Sequence, residues 1–190
     1  MHIELLEMWM HECRRAMTES FPSFREYPSK PFVGPGCLFF DTAEAPRFFF
    51  LFQASEKRDA FTVELAWNVN EVFPLNQGYS IPRNWPEIGV LRTDTNASQF
   101  RFRLSKLWAK PKYDPWWEFV PPLRTTKSAE LSVVADQNFG WQEKCAQLVG
   151  DAIEKIQTYG IPYMREIRQR TRNKPHSLSP NGLQTPRTLS

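Results

Sequence analysis

The sequence predicts a single α+β domain: a mainly antiparallel sheet, with an N-terminal helix and C-terminal helices packed on one of its faces. Three observations carry that expectation. The middle of the chain alternates apolar and polar side chains with a period of two, which is how a strand separates a dry face from a wetter one. Both ends instead repeat apolar residues every three to four positions, which is how a helix lays a stripe against a core. The order is helix, then strands, then helices, without the βαβ alternation that builds a parallel sheet.

Taken in order, residues 3–19 form the first helix, with Leu6, Trp9, Met10, Cys13 and Met17 on its apolar stripe. Phe21-Pro22 ends it, because a residue before proline is pushed away from helical angles. Residues 20–35 are rich in Pro and Ser and read as a loop that closes in the turn Gly34-Pro35-Gly36. Residues 37–41 (CLFFD) form a short strand, and a turn follows at 43–46.

The stretch 47–70, RFFFLFQASEKRDAFTVELAWNVN, organises the rest as a hairpin. Phe48, Phe50 and Phe52 fall on one face of its first strand, Phe49 and Leu51 on the other. A strand apolar on both faces suits the middle of a covered sheet, or a sheet face kept for a partner. In the second strand Phe61, Val63, Leu65, Trp67 and Val69 alternate with Thr62, Glu64, Ala66, Asn68 and Asn70. The polar link 55–59 is short enough for a hairpin connection.

Residues 71–98 contain Pro74, Pro82 and Pro86 with Gly78 and Gly89, and read as a long loop of the kind that is functional or disordered. Residues 99–104 return to alternation, with Phe100, Phe102 and Leu104 on one side and Gln99, Arg101 and Arg103 on the other. Residues 116–120 (WWEFV) form a further short strand, and 128–136 a short helix or turn. Trp141, Cys145, Leu148, Val149, Ala152, Ile156 and Tyr159 mark a second amphipathic helix. Gly160 closes it, and Pro162 opens a third helix to about residue 170. Residues 1–170 thus form the domain, and 171–190, polar and aperiodic, a disordered tail.

A chain of 190 residues suits one domain with a substantial core. Its aromatic content of 14% must fill a core, a pocket or an interface. No apolar run is long enough to span a bilayer, and charges through the first helix exclude the apolar centre of a signal peptide, so a cytoplasmic location is expected. The net charge of +3 is unevenly spread: residues 165–190 hold six Lys/Arg and one Glu, leaving 18 basic and 20 acidic side chains in residues 1–164. The body is nearly neutral, so its charge gives no general attraction to nucleic acid.

The usual catalytic patterns are missing. His2, His11 and His176 are the only histidines, and His11 and Cys13, two apart on a helix, do not converge on a metal. Cys13, Cys37 and Cys145 are widely spaced and imply neither disulfide framework nor zinc knuckle, and the two on helix stripes read as packing. There is no nucleophile elbow and no phosphate-binding glycine loop. Asp41 and Glu64, on neighbouring strands, are the one pair that could hold a divalent metal for hydrolysis, but no third ligand is visible.

Basic and aromatic residues instead interleave through 101–117. Arg101 and Arg103 with Trp108, Trp116 and Trp117 could hold single-stranded nucleic acid by phosphate contact and stacking. The same residues, joined by Tyr79 and Trp85 from the long loop, fit a protein interface, whose energetic centres concentrate Trp, Tyr and Arg.

The runs FTVELAWN (61–68), RFRLSKLW (101–108), DPWWEF (114–119) and YGIPYMREI (159–167) resemble the bacterial domain-of-unknown-function family catalogued as 4304. The likeness covers residues 1–170 and rests on aromatic, structural motifs. It implies an α+β fold in a bacterial cytoplasmic protein, and brings no activity and no catalytic residues. Small aromatic-rich proteins of that kind resemble immunity or antitoxin partners by analogy. The expected function is therefore a non-catalytic protein-binding module, with an immunity-type neutraliser of a toxin or effector as the form the analogy suggests, and with no cofactor and no membrane contact. Tyr79, Trp85, Arg101, Arg103, Trp108, Trp116 and Trp117 are its contact residues. A nucleic-acid-binding module is the alternative, and a metal-dependent hydrolase or nuclease the third reading.

Overall fold

The structure is a computed structural model that describes residues 1, 3–28, 31–32, 34–55, 57–74, 99–109, 115–119, 133–134 and 140–172. The elements run α1 (Ile3–Ser20), β1 (Phe24–Glu26), β2 (Gly36–Asp41), β3 (Arg47–Ala54), β4 (Ala60–Asn68), β5 (Gln99–Arg103), β6 (Trp117–Glu118), β7 (Val133–Val134), α2 (Trp141–Lys155) and α3 (Ile161–Arg172). The strands join in one sheet ordered β1-β2-β3-β4, which then forks. β5 lies along Glu64–Asn68 of β4, whereas β6 pairs with Ala60 and Phe61 and carries β7 on its outer side. All pairings are antiparallel except β6–β7.

The hairpin of β3 and β4 is the centre of the sheet, registered from Arg47↔Asn68 to Ala54↔Phe61. Its alternation sorts the side chains as the sequence predicts. Phe48, Phe50, Phe52, Phe61, Val63, Leu65 and Trp67 join the main core. Phe49, Leu51 and Ala66 join a smaller cluster on the opposite face with Leu38 and Phe73, flanked by Tyr27, Phe32 and Phe40. β3 is thus a central strand covered on both sides. Burying one Phe contributes about 2–3 kcal/mol, so this double layer of rings outweighs any single polar contact in the sheet.

All three helices pack on the main-core face. α1 buries Leu5, Trp9, Cys13, Ala16 and Met17, with the Trp9 ring 5.2 Å from Phe61. The buried stripe includes Leu5 and Ala16, while Leu6 and Met10 sit half-buried at its margin. α2 buries Cys145, Leu148, Val149, Ala152 and Ile153. α3 contributes Tyr163, whose hydroxyl accepts a hydrogen bond from Trp67 Nε1 (3.2 Å) and whose ring meets Phe102 edge-on.

Three local readings need correction. The segment 20–35 contains the short edge strand β1, paired Phe24↔Asp41. Only Phe24 of its three residues is buried, too short a pattern for a period to show. Within 128–136, Val133–Val134 is a strand parallel to β6; the rest of that segment lies outside the described residues. Gly160 does not close α2. A π turn, Ile156–Gly160, carries the helix directly into α3. A Cβ at Gly160 would stand 3.3 Å from Leu104 Cδ1 and from the Phe50 ring, so glycine serves there as a close approach of helix to sheet. Gly36 is tighter still: a Cβ would fall 2.3 Å from the Phe52 carbonyl oxygen across the β2–β3 pair. α3 runs on to Arg172, and residues 173–190 and 75–98 lie outside the described residues.

Gly150 is the opposite case, an exposed position inside α2 where a Cβ would meet nothing within 4 Å. Gly150→Ala should stabilise the domain by about 0.5–1 kcal/mol, because alanine loses less backbone entropy in a helix. A rise in the urea midpoint at constant slope is the expected reading. Among the described residues no helix is long and apolar enough to cross a membrane.

Candidate functional site

The fork in the sheet is where the interleaved arginines and tryptophans come together. β4 turns Ala60, Thr62, Glu64, Ala66 and Asn68 to the face opposite the helices, and all five are buried. β5 adds Arg101 and Arg103 to that face, because Arg101 stands opposite Ala66 and Arg103 opposite Glu64. β6 adds Glu118, opposite Ala60. Trp116 precedes Glu118 by two residues and shares its side.

Arg101 is the inner member. Its side chain is 7% exposed, its Nε donates to Glu64, and its guanidinium stands over the Phe73 ring at 4.9 Å. Two opposite charges are therefore withdrawn from water together. Such a pair holds when the partners satisfy one another and is costly when either is lost. Arg101 is therefore interior structure and is not placed to reach a partner.

Trp116 is the outer member. It is half-buried, and two guanidiniums stand over its ring, Arg58 at 4.6 Å and Arg103 at 4.7 Å. Arg58 comes from the β3–β4 turn, and its Nη1 also donates to the buried Glu118 carboxylate at 2.9 Å. The turn of the hairpin and the end of β5 thus meet across one indole. Arg58 carries no sequence pattern of its own, and reading the link 55–59 as a connector hides it. Lys106, half-buried in the 3₁₀ turn Leu104–Leu107 after β5, has its amine pKa lowered first by burial and then by Arg103.

Trp108 and Trp117 belong to the other face. Trp117 is 2% exposed, stacks on Phe61 at 5.3 Å and donates through Nε1 to Asp151 of α2 at 2.8 Å. Trp108 stacks on Tyr159 at 5.3 Å and meets Trp117 edge-on. Both lock the helices to the sheet instead of facing a partner. Tyr79 and Trp85 lie outside the described residues. Of the expected contact residues that are described, Arg103 and Trp116 stand at the edge of the fork, and Trp108 is half-buried on the helix face.

Asp41 and Glu64 do not form a metal site together. Asp41 points to the helix face, where it accepts from Arg168 of α3 and from the Phe48 amide (3.1 Å); Glu64 points to the opposite face and accepts from Arg101. Strand parity separates them, and each already has a cationic partner. Among the described residues no three His, Cys, Asp or Glu side chains are grouped to hold a metal. The cysteines are buried free thiols. Burial, then the neighbouring Cys37 and Cys145, raises Cys13, while burial and then Glu12 push Cys145 up to about 12, so neither supplies a thiolate nucleophile near neutral pH.

Comparison of the chain with protein-family models, with curated proteins and with solved structures gives no match.

Proposed function

We propose that the protein acts without catalysis, by binding another protein at the edge of the sheet fork. The observation that carries this reading is Trp116, a half-buried indole held by two arginines beside a buried carboxylate. Protein interfaces draw their energy from such groups: a rigid aromatic anchor with planar cations already oriented around it. The analogy with small aromatic-rich bacterial proteins makes a toxin or effector, neutralised by occlusion in the bacterial cytoplasm, the partner considered first.

Nucleic acid is the weaker reading. Single-stranded nucleic acid is gripped by stacking bases on open aromatic faces. Guanidiniums already stand over Trp116, Trp117 is stacked inside the fold, and the half-buried Trp108 is already stacked on Tyr159. Glu64 and Glu118 also set carboxylates among the arginines.

The test is affinity capture from a nuclease-treated lysate of the native cells, with the full chain and Trp116→Ala as parallel baits. One stoichiometric protein should be captured, and Trp116→Ala should weaken it by at least 1.4–2 kcal/mol, about tenfold or more. Equal capture by both baits would remove Trp116 from the interface. Recovery of material only without nuclease would move the site to nucleic acid.

A further inference from the structure

We infer that Arg58 is the specificity-determining residue of this edge, and that it takes a carboxylate from an acidic segment of the protein partner. The inference rests on the protein-binding reading above and names the chemistry of the partner.

Three observations lead to it. Arg58 is held from two sides, by the Trp116 ring at 4.6 Å and by Glu118 through Nη1 at 2.9 Å. Its side chain is nevertheless 47% exposed, while that of Glu118 is 6% exposed. A guanidinium has five N–H donors in a fixed planar fork, so one bond to Glu118 leaves an outward edge facing water. An arginine on a mobile turn normally loses rotamer freedom when it binds; this one has given up much of it before a partner arrives. The fork geometry matches the two oxygens of a carboxylate.

Charge around the edge points the same way. Among the described residues of 99–119, Arg101, Arg103 and Lys106 are basic and Glu118 is acidic. Arg103 stands over the Trp116 ring at 4.7 Å beside Arg58 at 4.6 Å, so two cations share this edge with the single carboxylate of Glu118. A protein carboxylate suits this edge better than a nucleic-acid phosphate. A nucleic-acid strand would also need an open aromatic face for a neighbouring base, and the Trp116 indole already carries two guanidiniums.

The experiment uses the full chain with nitrogen-15 labelling and follows the Arg58 Nε–H and Trp116 Nε1–H resonances. The probes are a short synthetic peptide of alternating Glu and Gly, the same peptide with Gln for Glu, and a single-stranded oligonucleotide of equal charge. The Glu peptide should shift both resonances at about a tenfold lower concentration than either other probe. Arg58→Lys keeps a cation for Glu118 but loses the fork, and should raise the concentration needed about tenfold, with the amide spectrum otherwise retained. The inference is overturned if the Glu peptide shifts only other resonances, if the oligonucleotide acts at the lower concentration, or if Arg58→Lys binds like the parent. A natural partner captured in a Trp116-dependent manner but held equally by Arg58→Lys would overturn this inference while leaving the protein-binding reading standing. Capture of no protein would overturn that reading itself.

Discussion

Glu64→Ala should destabilise the protein by about 3–5 kcal/mol, a large share of the total stability of a small domain. Glu64 is 2% exposed on the central strand, and its partner Arg101 is 7% exposed between it and Phe73. Removing the carboxylate leaves a cation that cannot reach water without opening the fork. Arg101→Met should cost a similar amount, because it leaves the carboxylate in the same position. The pair replaced together, Glu64→Leu with Arg101→Met, should recover most of that loss, since two apolar groups of comparable size need no partner. The double-mutant cycle, closed with Glu64→Leu as its own single variant, then gives a coupling energy of about 5 kcal/mol or more in urea unfolding at constant slope. Singles costing under about 1 kcal/mol would mean that water reaches the pair and that it behaves as a surface bridge. A recovered double variant would show that burial of the ion pair is not required for folding. Whether that variant still captures the partner separates a structural pair from one that sets the position of Arg103, which lies opposite Glu64 in the register.

The alternation that divides β4 between two faces is plain in the sequence, and so are the two Phe rows of β3 and the stripes of α1 and α2; the expected wetter face of β4 is overturned, because all nine of its residues are buried. Those features depend on residues two, three or four apart, within one element. The misread segments depend on something else. β1 is three residues whose pairing is fixed by β2, and β7 is two valines fixed by β6. Gly160 looks like a helix stop because glycine commonly ends helices; what decides it is the Phe50 ring 3.3 Å from where its Cβ would lie. The same distinction runs through the site. Arg103 and Trp116 are visible as a basic and aromatic stretch, but the burial of Arg101 against Glu64 and Phe73, and of Trp117 against Phe61, emerges only when β5 and β6 find different halves of β4. Arg58 becomes conspicuous only once the hairpin turn is folded against Trp116.

Phe61→Ala should have an effect of the same size, about 3–5 kcal/mol, for a different reason. Phe61 is fully buried and is the meeting point of four other rings: Trp9 of α1 at 5.2 Å, Trp117 of β6 at 5.3 Å, Phe119 at 6.0 Å and Phe52 of β3 at 6.5 Å. The loss combines the apolar transfer of a phenyl ring with the cavity left among large, stiff neighbours that cannot collapse into it. Phe61→Leu refills part of that volume and should cost about 1–2 kcal/mol. The consequence for binding follows from position. Phe61 and Ala60 are the residues of β4 that pair with Trp117 and Glu118, so they set where β6 lies. Trp117 stacks on Phe61 under the sheet while Trp116, the next residue back, holds Arg58 above it. A shift in the stacking on the helix face is therefore delivered to the indole on the other. Phe61→Leu should remain folded in urea titration yet show displaced Arg58 Nε–H and Trp116 Nε1–H resonances and weaker capture of the partner. Unchanged resonances in a folded Phe61→Leu protein would mean that β6 is held by Asp151 and α2 alone, through the Trp117 Nε1 bond.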